Sequence, residues 1–392
     1  MKRLGIIILG ALAMLMAGCS KDITPSPSND PDAWMYNETL PVPIRFSAST
    51  EPATKGAAIN EAKDMEGKQF GFFAVSSQVT DWKEDTGLEM PQNALATCKL
   101  VEGTDDQVQF TFDQGPYYYP QTYADNFTFY GYHAIRAENY VRQSPDSLFV
   151  VVEVGKTDIL WAKAKAEPSK AKVDDGNLYE GFNARYIRKT GNQPVMNFKH
   201  STACVSFKAK TEYSDFATNN EGKDRITVTG VTVLKTVSAA VLRIAVKDDV
   251  TVDRNGKPII QDEWEGSLRP TGFKDLSAND VKTEPLTDKA ESLCSDFFLA
   301  PSETVTVRLD YTVDSGEMKT KSYSSTYTLA PEFTSEGTDM TGFHAGYKYN
   351  YNFIIYTPER IAIEATVEEY KSAFGKDGEG NDIFEDVKPD NE

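Results

Sequence analysis

The chain has 392 residues, of which 40% are hydrophobic and 26% are charged, and its formal net charge is −18. This apolar fraction can fill a hydrophobic core, so wholesale disorder is excluded, and the length favours two domains. The excess of 59 acidic over 41 basic residues argues against nucleic acid as a partner, because a basic face is needed there. It also argues against electrostatic docking on anionic lipid.

The first residues predict a bacterial lipoprotein signal. Two basic residues precede an apolar stretch, residues 4–16, which is too short for a comfortable membrane span, and LMAGC at residues 15–19 matches a lipobox. We therefore expect residues 1–18 to be removed as a signal peptide. Diacylglycerol and palmitate on Cys19 would anchor the mature chain to the outer membrane, at the cell surface. With 39 basic and 59 acidic residues left, the mature charge becomes −20.

Residues 19–33 are rich in Pro, Ser and Asp and predict a flexible tether between the lipid and the body of the protein. At the other end, residues 376–392 contain seven acids and two Lys and predict a solvated acidic tail.

Between the tether and the tail, apolar residues recur with a period of two, which predicts strands buried on one face. Helical patterns are few; residues 121–126 and 168–176 predict short turns at most. In one strand the alternation slips at Gly230, which predicts a β-bulge. The predicted strands are residues 41–49, 68–75, 107–112, 126–132, 148–154, 201–210, 225–234, 304–313, 347–355 and 361–367.

Many short strands separated by turn residues are typical of β-sandwiches. The best seam between two of them is residues 188–193 (RKTGNQ), which lie between a loop-like stretch and the strand run that begins near residue 196. We therefore predict an N-terminal sandwich at residues 34–190 and a C-terminal sandwich at residues 191–375.

Three cysteines remain in the mature chain after Cys19, about a hundred residues apart from one another: Cys98, Cys204 and Cys294. This spacing indicates neither a disulfide framework nor a zinc site, and it favours buried apolar filler. One disulfide with a leftover thiol stays open.

No pattern of catalysis stands out. The three histidines, His133, His200 and His344, are isolated, and the motifs HExxH, GxSxG, GxGxxG and the phosphate loop are absent. We therefore expect no enzyme, no metal and no cofactor. Asp146 and Leu148 flank Ser147 in a pattern similar to an O-glycosylation acceptor, and whether Ser147 is modified stays open.

Several stretches together resemble the fimbrillin (Mfa-like) family, subunits of the type V pili of Gram-negative anaerobes. They are the lipobox, residues 44–48, 53–57, 70–74, 118–120, 127–132, 158–162, 195–203 and 345–349. The resemblance implies an all-β fold with two tandem Greek-key (transthyretin-like) β-sandwich domains behind the signal and tether.

The resemblance also implies assembly by strand exchange with other fimbrial subunits. A trypsin-like protease would cut after a basic residue just past the first strand, here between Lys55 and Gly56. The displaced first strand would be Val42, Ile44, Phe46 and Ala48, and the candidate donor strand is Ile361, Ile363, Ala365 and Val367. The alternatives left open are that Lys55 is a plain loop residue and that residues 361–367 are the last strand of the second sandwich.

The function implied is a structural subunit, or a lipid-anchored accessory subunit, of a cell-surface fimbria that serves adhesion. A stalk, an anchor and a tip role are all open, and so is the host or bacterial surface ligand. The alternative is a lipid-anchored glycan-binding protein that never polymerises and uses Trp82, Trp161 or Trp264 as sugar platforms.

Overall fold

The structure is a computed structural model, and strands predominate in it. The α-helices in the described part of the chain are short, α1 at Ala62–Met65 and α2 at Ala184–Thr190, and a 3-10 turn lies at Ala33–Met35. The expected all-β fold is thus confirmed. The described residues are 32–49, 62–82, 88–104, 107–121, 125–134, 141–164, 166, 181–211, 225–247, 265–314, 320–335, 337–357 and 360–369.

Within the described part of the chain the strands form three large sheets and one small hairpin. In chain order they are β1 (Phe46–Ser49), β2 (Gln69–Ser76), β3 (Ala94–Leu100), β4 (Gln107–Phe112), β5 (Phe127–His133), β6 (Val141–Ser144), β7 (Ser147–Glu153), β8 (Leu160–Ala164), β9 (Lys199–His200), β10 (Ala203–Thr211), β11 (Arg225–Val246), β12 (Leu268–Ser277), β13 (Glu291–Ser292), β14 (Phe297–Leu299), β15 (Val305–Asp314), β16 (Lys321–Leu329), β17 (Glu332–Ser335), β18 (Thr338–Thr341), β19 (Tyr347–Thr357) and β20 (Arg360–Glu369).

The first sheet has seven antiparallel strands in the order β1-β4-β3-β2-β5-β8-β9. It is strongly curled. The rings of Phe46 in β1 and Phe72 in β2 stack with centroids 4.6 Å apart, although two strands separate β1 from β2 in the sheet. Such a contact requires the sheet to bend back on itself around its own apolar face.

The second sheet is built on β11, which is 22 residues long, or roughly 70 Å at the rise of a strand. Its first part, residues 225–234, pairs with β15, and its last part, residues 239–246, pairs with β7. On the opposite edge, β12 pairs with residues 232–242 and so covers the middle of β11. The order is β16-β15-β11-β7-β6 with β12 alongside.

The third sheet runs β13-β10-β19-β20, with β14 also paired to β10. Its central pair, β10 and β19, is parallel, and β20 lies antiparallel to β19 at the edge. A small hairpin joins β17 and β18.

The described residues form three large apolar cores, which lie within or between these sheets. One lies within the curl of the first sheet and includes Phe46, Phe72 and Phe198. A second joins the other face of that sheet, through Phe73, to β7 and the end of β11. The third lies between the start of β11, β15, β10 and β19. Because both of its faces are covered, β2 is buried along nearly its whole length.

The division into domains at residue 190 stays a prediction. One pairing crosses this predicted boundary. β7 lies before residue 190, and it pairs with residues 239–246 of β11, which lie after it. The two segments therefore share a sheet. The Greek-key connectivity likewise stays a prediction.

Each predicted strand overlaps an observed one, with two corrections. Regular pairing of the first strand begins at Phe46 rather than at Pro41, because Pro41 and Pro43 have no N–H to donate. The strand predicted at residues 225–234 continues to Val246. The bulge is confirmed, since the register against β15 shifts at Gly230.

The seam predicted at residues 188–193 stays a prediction, and residues 188–190 within it form the last turn of α2. The Asn183 side chain caps this helix by accepting from the Tyr186 amide, and Gly191 ends it in the left-handed conformation, with φ of 69°. The turn predicted at residues 168–176 lies outside the described residues, as does part of the one at 121–126. No described helix is long and apolar enough to cross a bilayer.

Candidate functional site around the first strand

The predicted first strand buries one face completely. Val42, Ile44, Phe46 and Ala48 are exposed by 0%, 3%, 2% and 2%, and all four join the core inside the curled sheet. The residues between them face outward, and Arg45 is exposed. The alternation of residue types in the sequence therefore matches the alternation of buried and less buried side chains in the structure.

Backbone hydrogen bonds hold this strand on both sides. On one side the Ile44 amide donates to the Tyr117 carbonyl at 2.9 Å, and β1 then pairs with β4. On the other side the Met196 amide donates to the Ser47 carbonyl at 2.8 Å. The segment thus lies between β4 and residues 194–196.

The ring of Phe46 is the largest apolar group that the strand contributes to the core. Besides stacking on Phe72, it meets Phe129 at 5.1 Å and Phe112 at 5.6 Å, both edge to face. A buried Phe contributes roughly 2 to 3 kcal/mol by area alone, and its ring pairs add to that. Removing the strand would therefore expose a large apolar cleft.

Two arginines fasten the chain just before the strand. Arg45 pairs with Asp32 at 2.7 Å and lies over the ring of Trp34. Arg188, in α2, donates to the carbonyls of Trp34 and Leu40. These contacts are polar and mostly exposed, so they position the segment rather than stabilise it strongly.

An open groove of about 900 Å³ runs along the outer side of the strand. It lies between the chain that leads into the strand and β4. The side chains at its wall include Trp34, Leu40, Arg45, Phe112 and Tyr118.

The candidate donor strand is β20, at the edge of the third sheet. Ile361, Ile363, Ala365 and Val367 point to the core beneath that sheet, yet all four are only half-buried. Among the described strands, β20 pairs with β19 alone. The structure thus places residues 361–367 as an edge strand of the second predicted sandwich, and the donor role stays a prediction.

The remaining predicted site residues, Cys19, Lys55 and Gly56, lie outside the described residues. So does Trp264. The other two tryptophans offered as sugar platforms are engaged in the protein. Trp82 is 6% exposed within the second core, and the indole N–H of Trp161 donates to the Ile244 carbonyl at 2.9 Å. Ser147 is nearly buried at the start of β7.

A buried polar cluster lies beside β9, and residue spacing did not indicate it. Nδ1 of His200 lies 2.9 Å from Oδ2 of Asp158, and the Thr202 hydroxyl donates to Oδ1 of the same carboxylate at 3.2 Å. The His200 and Asp158 side chains are exposed by 0% and 3%. Their positions differ by 42 residues, and only the pairing of β8 with β9 brings them together.

The three thiols are free and buried, as the filler interpretation requires. Burial raises the pKa of Cys98 and of Cys294 to about 12, and it also raises the pKa of the Cys204 thiol. All three are therefore protonated, unreactive thiols at neutral pH.

A second cleft, of about 570 Å³, crosses the outer face of the third sheet. It contains as many Lys as acidic side chains, and its central pair, Lys348 and Asp296, is joined at 3.1 Å. With its charges balanced, the cleft favours no charged ligand.

The fold and this site define a protein built of strands, whose first strand contributes one face to the core. The profile of the Fimbrillin-like family matches residues 58–369. Since this is most of the chain, the protein belongs to the fimbrillin-like family. It is accordingly a fimbrial or cell adhesion subunit of the cell surface, and its family is not one of enzymes.

Solved structures with similar folds have low identity. A protein from Bacteroides uniformis assigned to cell adhesion is 15% identical over 85% of this chain and 99% of its own, with a TM-score of 0.45. A fimbrial assembly protein from Parabacteroides distasonis is 12% identical (84% and 95% covered, TM-score 0.37). The tip fimbrial protein Mfa3 from Porphyromonas gingivalis is 6% identical (83% and 99%, 0.32). No curated protein matches the chain in sequence.

Proposed function

We propose that this protein is made as a precursor anchored to the outer membrane through lipid on Cys19, and that it joins a fimbria by strand exchange. A cut between Lys55 and Gly56 releases the first strand, and a strand from a neighbouring subunit takes its place. Main-chain hydrogen bonds would re-form along the vacated edge while alternate side chains fill the pockets.

The observation that carries this proposal is the complete burial of Val42, Ile44, Phe46 and Ala48 in a segment that ends six residues before Lys55. A cut there would leave the strand held only by non-covalent contacts. While it stays in place, it also occupies the site that a second subunit needs, which keeps the precursor monomeric.

β20 supplies side chains that suit the same pockets. Ile361, Ile363, Ala365 and Val367 have the period of two found in the first strand. An edge strand with a half-buried face also has less to lose on leaving its own sheet than a central strand would.

The proposal is tested with the purified precursor carrying Cys19→Ser, treated with trypsin and run on gels without boiling. We expect a cut after Lys55 and a ladder of SDS-resistant polymers. Lys55→Gln should abolish both, whereas Lys63→Gln, at an exposed lysine in α1, should change neither. Polymers that form equally well from Lys55→Gln would overturn the role of this cut.

Paired cysteines test the release of the first strand. Ser47 and Gln109 are direct partners in the β1–β4 register, and neither is fully buried. In Ser47→Cys/Gln109→Cys, the oxidised protein should be cut but stay monomeric, and reduction should restore the ladder. The same design at Asn350 and Thr366, partners in β19 and β20, tests whether β20 must leave its sheet.

A further inference from the structure

The strongly exposed apolar side chains are concentrated at one place. Among the described residues six large apolar side chains are highly exposed, and five of them surround the first strand. We call these five the N-terminal apolar patch: Met35, Tyr36, Leu40, Tyr118 and Val195, exposed by 41%, 72%, 37%, 42% and 47%. Clustered exposure of this kind marks an interaction surface, whereas scattered exposure does not.

The patch surrounds the entry of the chain into the first strand. Leu40 and Tyr118 line the same groove, and Val195 pairs with Ser47 of β1. Met35 lies over the end of α2, where a Cβ built on Gly191 would meet its methyl carbon at 3.3 Å.

Basic residues lie beside the patch, although the whole chain carries −18. Arg45 lies over the Trp34 ring, and Arg188 donates to the carbonyls of Trp34 and Leu40. Arg185 and Lys189 belong to the same helix as Arg188, and both are exposed. The repulsion that the acidic protein would feel from an anionic surface is therefore relieved at this end.

The length of chain between Cys19 and the folded body limits how far the N-terminal apolar patch can lie from the membrane. Only twelve residues separate Cys19 from Asp32, where the described body begins. Fully extended, this length reaches at most about 45 Å, and a flexible coil spans about 20 Å. A chain anchored through Cys19 thus holds its N-terminal end close to the bilayer, at a high effective concentration.

From these observations we infer that the N-terminal apolar patch rests on the surface of the lipid bilayer. The inference rests on the proposed anchoring at Cys19. Met35, Leu40 and Val195 enter the interface, and the rings of Tyr36 and Tyr118 lie at headgroup level, where amphipathic aromatic side chains are favoured. Contact through the patch adds a second signal to the lipid and fixes the orientation of the precursor.

The inference is tested on a mature chain in which a hexahistidine tag replaces Cys19 and binds vesicles of phosphatidylethanolamine, phosphatidylglycerol and a nickel-chelating lipid. An environment-sensitive dye is placed at the patch by Tyr36→Cys. Its matched control is Phe273→Cys, because Phe273 is 66% exposed on β12, away from the first strand. The buried native thiols stay unlabelled.

We expect the dye at residue 36 to brighten several-fold and shift to the blue on tethering, while the dye at residue 273 stays unchanged. Without the tag, flotation with the same vesicles should be weak, and Met35→Ser/Leu40→Ser should weaken it further by about tenfold. A dye at residue 36 that stays in water on tethered vesicles, or equal shifts at both positions, would overturn the inference.

Brightening at residue 36 in solution, growing with protein concentration in the absence of vesicles, would overturn it in favour of a second copy of the chain. Anchoring itself is tested apart, by the mass of the N-terminal peptide of the protein from cells. Because the tag replaces the lipid, a failure of acylation at Cys19 and a failure of the patch to meet the bilayer give different results.

Discussion

The ring of Phe46 stacks on the ring of Phe72, with the centroids 4.6 Å apart and the planes inclined by 23°. Phe46 belongs to the segment that would leave on strand exchange, and Phe72 to a strand buried on both faces. The contact therefore lies between two parts of the core. In the proposed strand exchange, the part with Phe46 is replaced and the part with Phe72 stays.

Phe46→Ala should lower the free energy of unfolding by about 3 to 5 kcal/mol, because it leaves a cavity among three aromatic rings. Phe273→Ala, the same substitution at a ring that is 66% exposed, should change it by less than about 0.5 kcal/mol. Urea titrations of both variants measure the difference. Equal effects would mean that Phe46 is not packed as described.

Gly266→Ala should be more costly than Gly67→Ala. The two glycines have nearly the same left-handed φ, 77° and 75°, so backbone strain of about 1 to 2 kcal/mol is common to both. A Cβ on Gly266 would stand 2.8 Å from the Trp161 ring, whereas one on Gly67 meets nothing within 4 Å. We expect Gly266→Ala to cost about 1 to 3 kcal/mol more in urea. A smaller cost than at Gly67 would contradict the packing of Trp161.

Asp158→Ala should destabilise the protein by about 1 to 3 kcal/mol, because it removes a buried carboxylate that His200 and Thr202 both contact. The matched control is Asp32→Ala, which breaks the exposed pair with Arg45 and should cost less than about 1 kcal/mol. Thermal unfolding of the two variants side by side ranks them, and the reverse ranking would refute the burial of the His200 pair.

The buried thiols should be silent in the native protein. In the Cys19→Ser chain at pH 8, a thiol reagent should find no fast-reacting group, since burial raises the pKa of Cys98 and Cys294 to about 12 and raises that of Cys204 as well. In concentrated guanidinium chloride all three should react. A rapid reaction in the native protein would contradict the burial of these thiols. Fewer than three reactive thiols after unfolding would contradict their being free.

The contribution of Glu265 to the stability of the fold should decrease as pH rises. Burial raises the pKa of its carboxyl group, although Lys163 lies 2.7 Å away and opposes the shift. Its contribution is thus fully present below the ordinary pKa of Glu and is lost as pH rises through the raised value. The stability of the native chain minus that of Glu265→Gln should fall across this range in urea titrations at several pH values. A difference that grows with pH would show that the ion pair outweighs burial.

Strands with one buried face could be predicted from the sequence. In β15 every second residue is buried from Val305 onward, which is the pattern the sequence shows. β16 was missed because it is an edge strand whose inward residues, Tyr323, Ser325 and Tyr327, are only half-buried and mix with Ser and Thr. β12 was missed because Pro270 and Gly272 interrupt it.

The short helix α2 had usable signals in its sequence. Asn183 stands at its start and Gly191 just past its end, the residues favoured at these two positions. They were missed because α2, at seven residues, is too short to show a clear helical period. The pairing of β7 with β11 could not be predicted, because nothing in the sequence of one strand specifies a partner almost a hundred residues away.

The first strand of the candidate site was found from its alternation, but its surroundings were not. The Arg45 contact with Asp32 and the bond from Met196 to Ser47 depend on how the sheet curls. The same holds for the exposure of Tyr118 and Val195, which the sequence alone could not separate from core residues.

The length of β11 has a mechanical consequence for a fimbrial or cell adhesion subunit. A pull along this strand runs parallel to it, while its hydrogen bonds to β15, β12 and β7 run across it. Tension between the two ends of this strand would therefore load a whole row of hydrogen bonds in shear at once, and would not break them one after another. β12 pairs with part of the region of β11 that β15 covers and with part of the region that β7 covers. Hydrogen bonds therefore continue through the middle of β11.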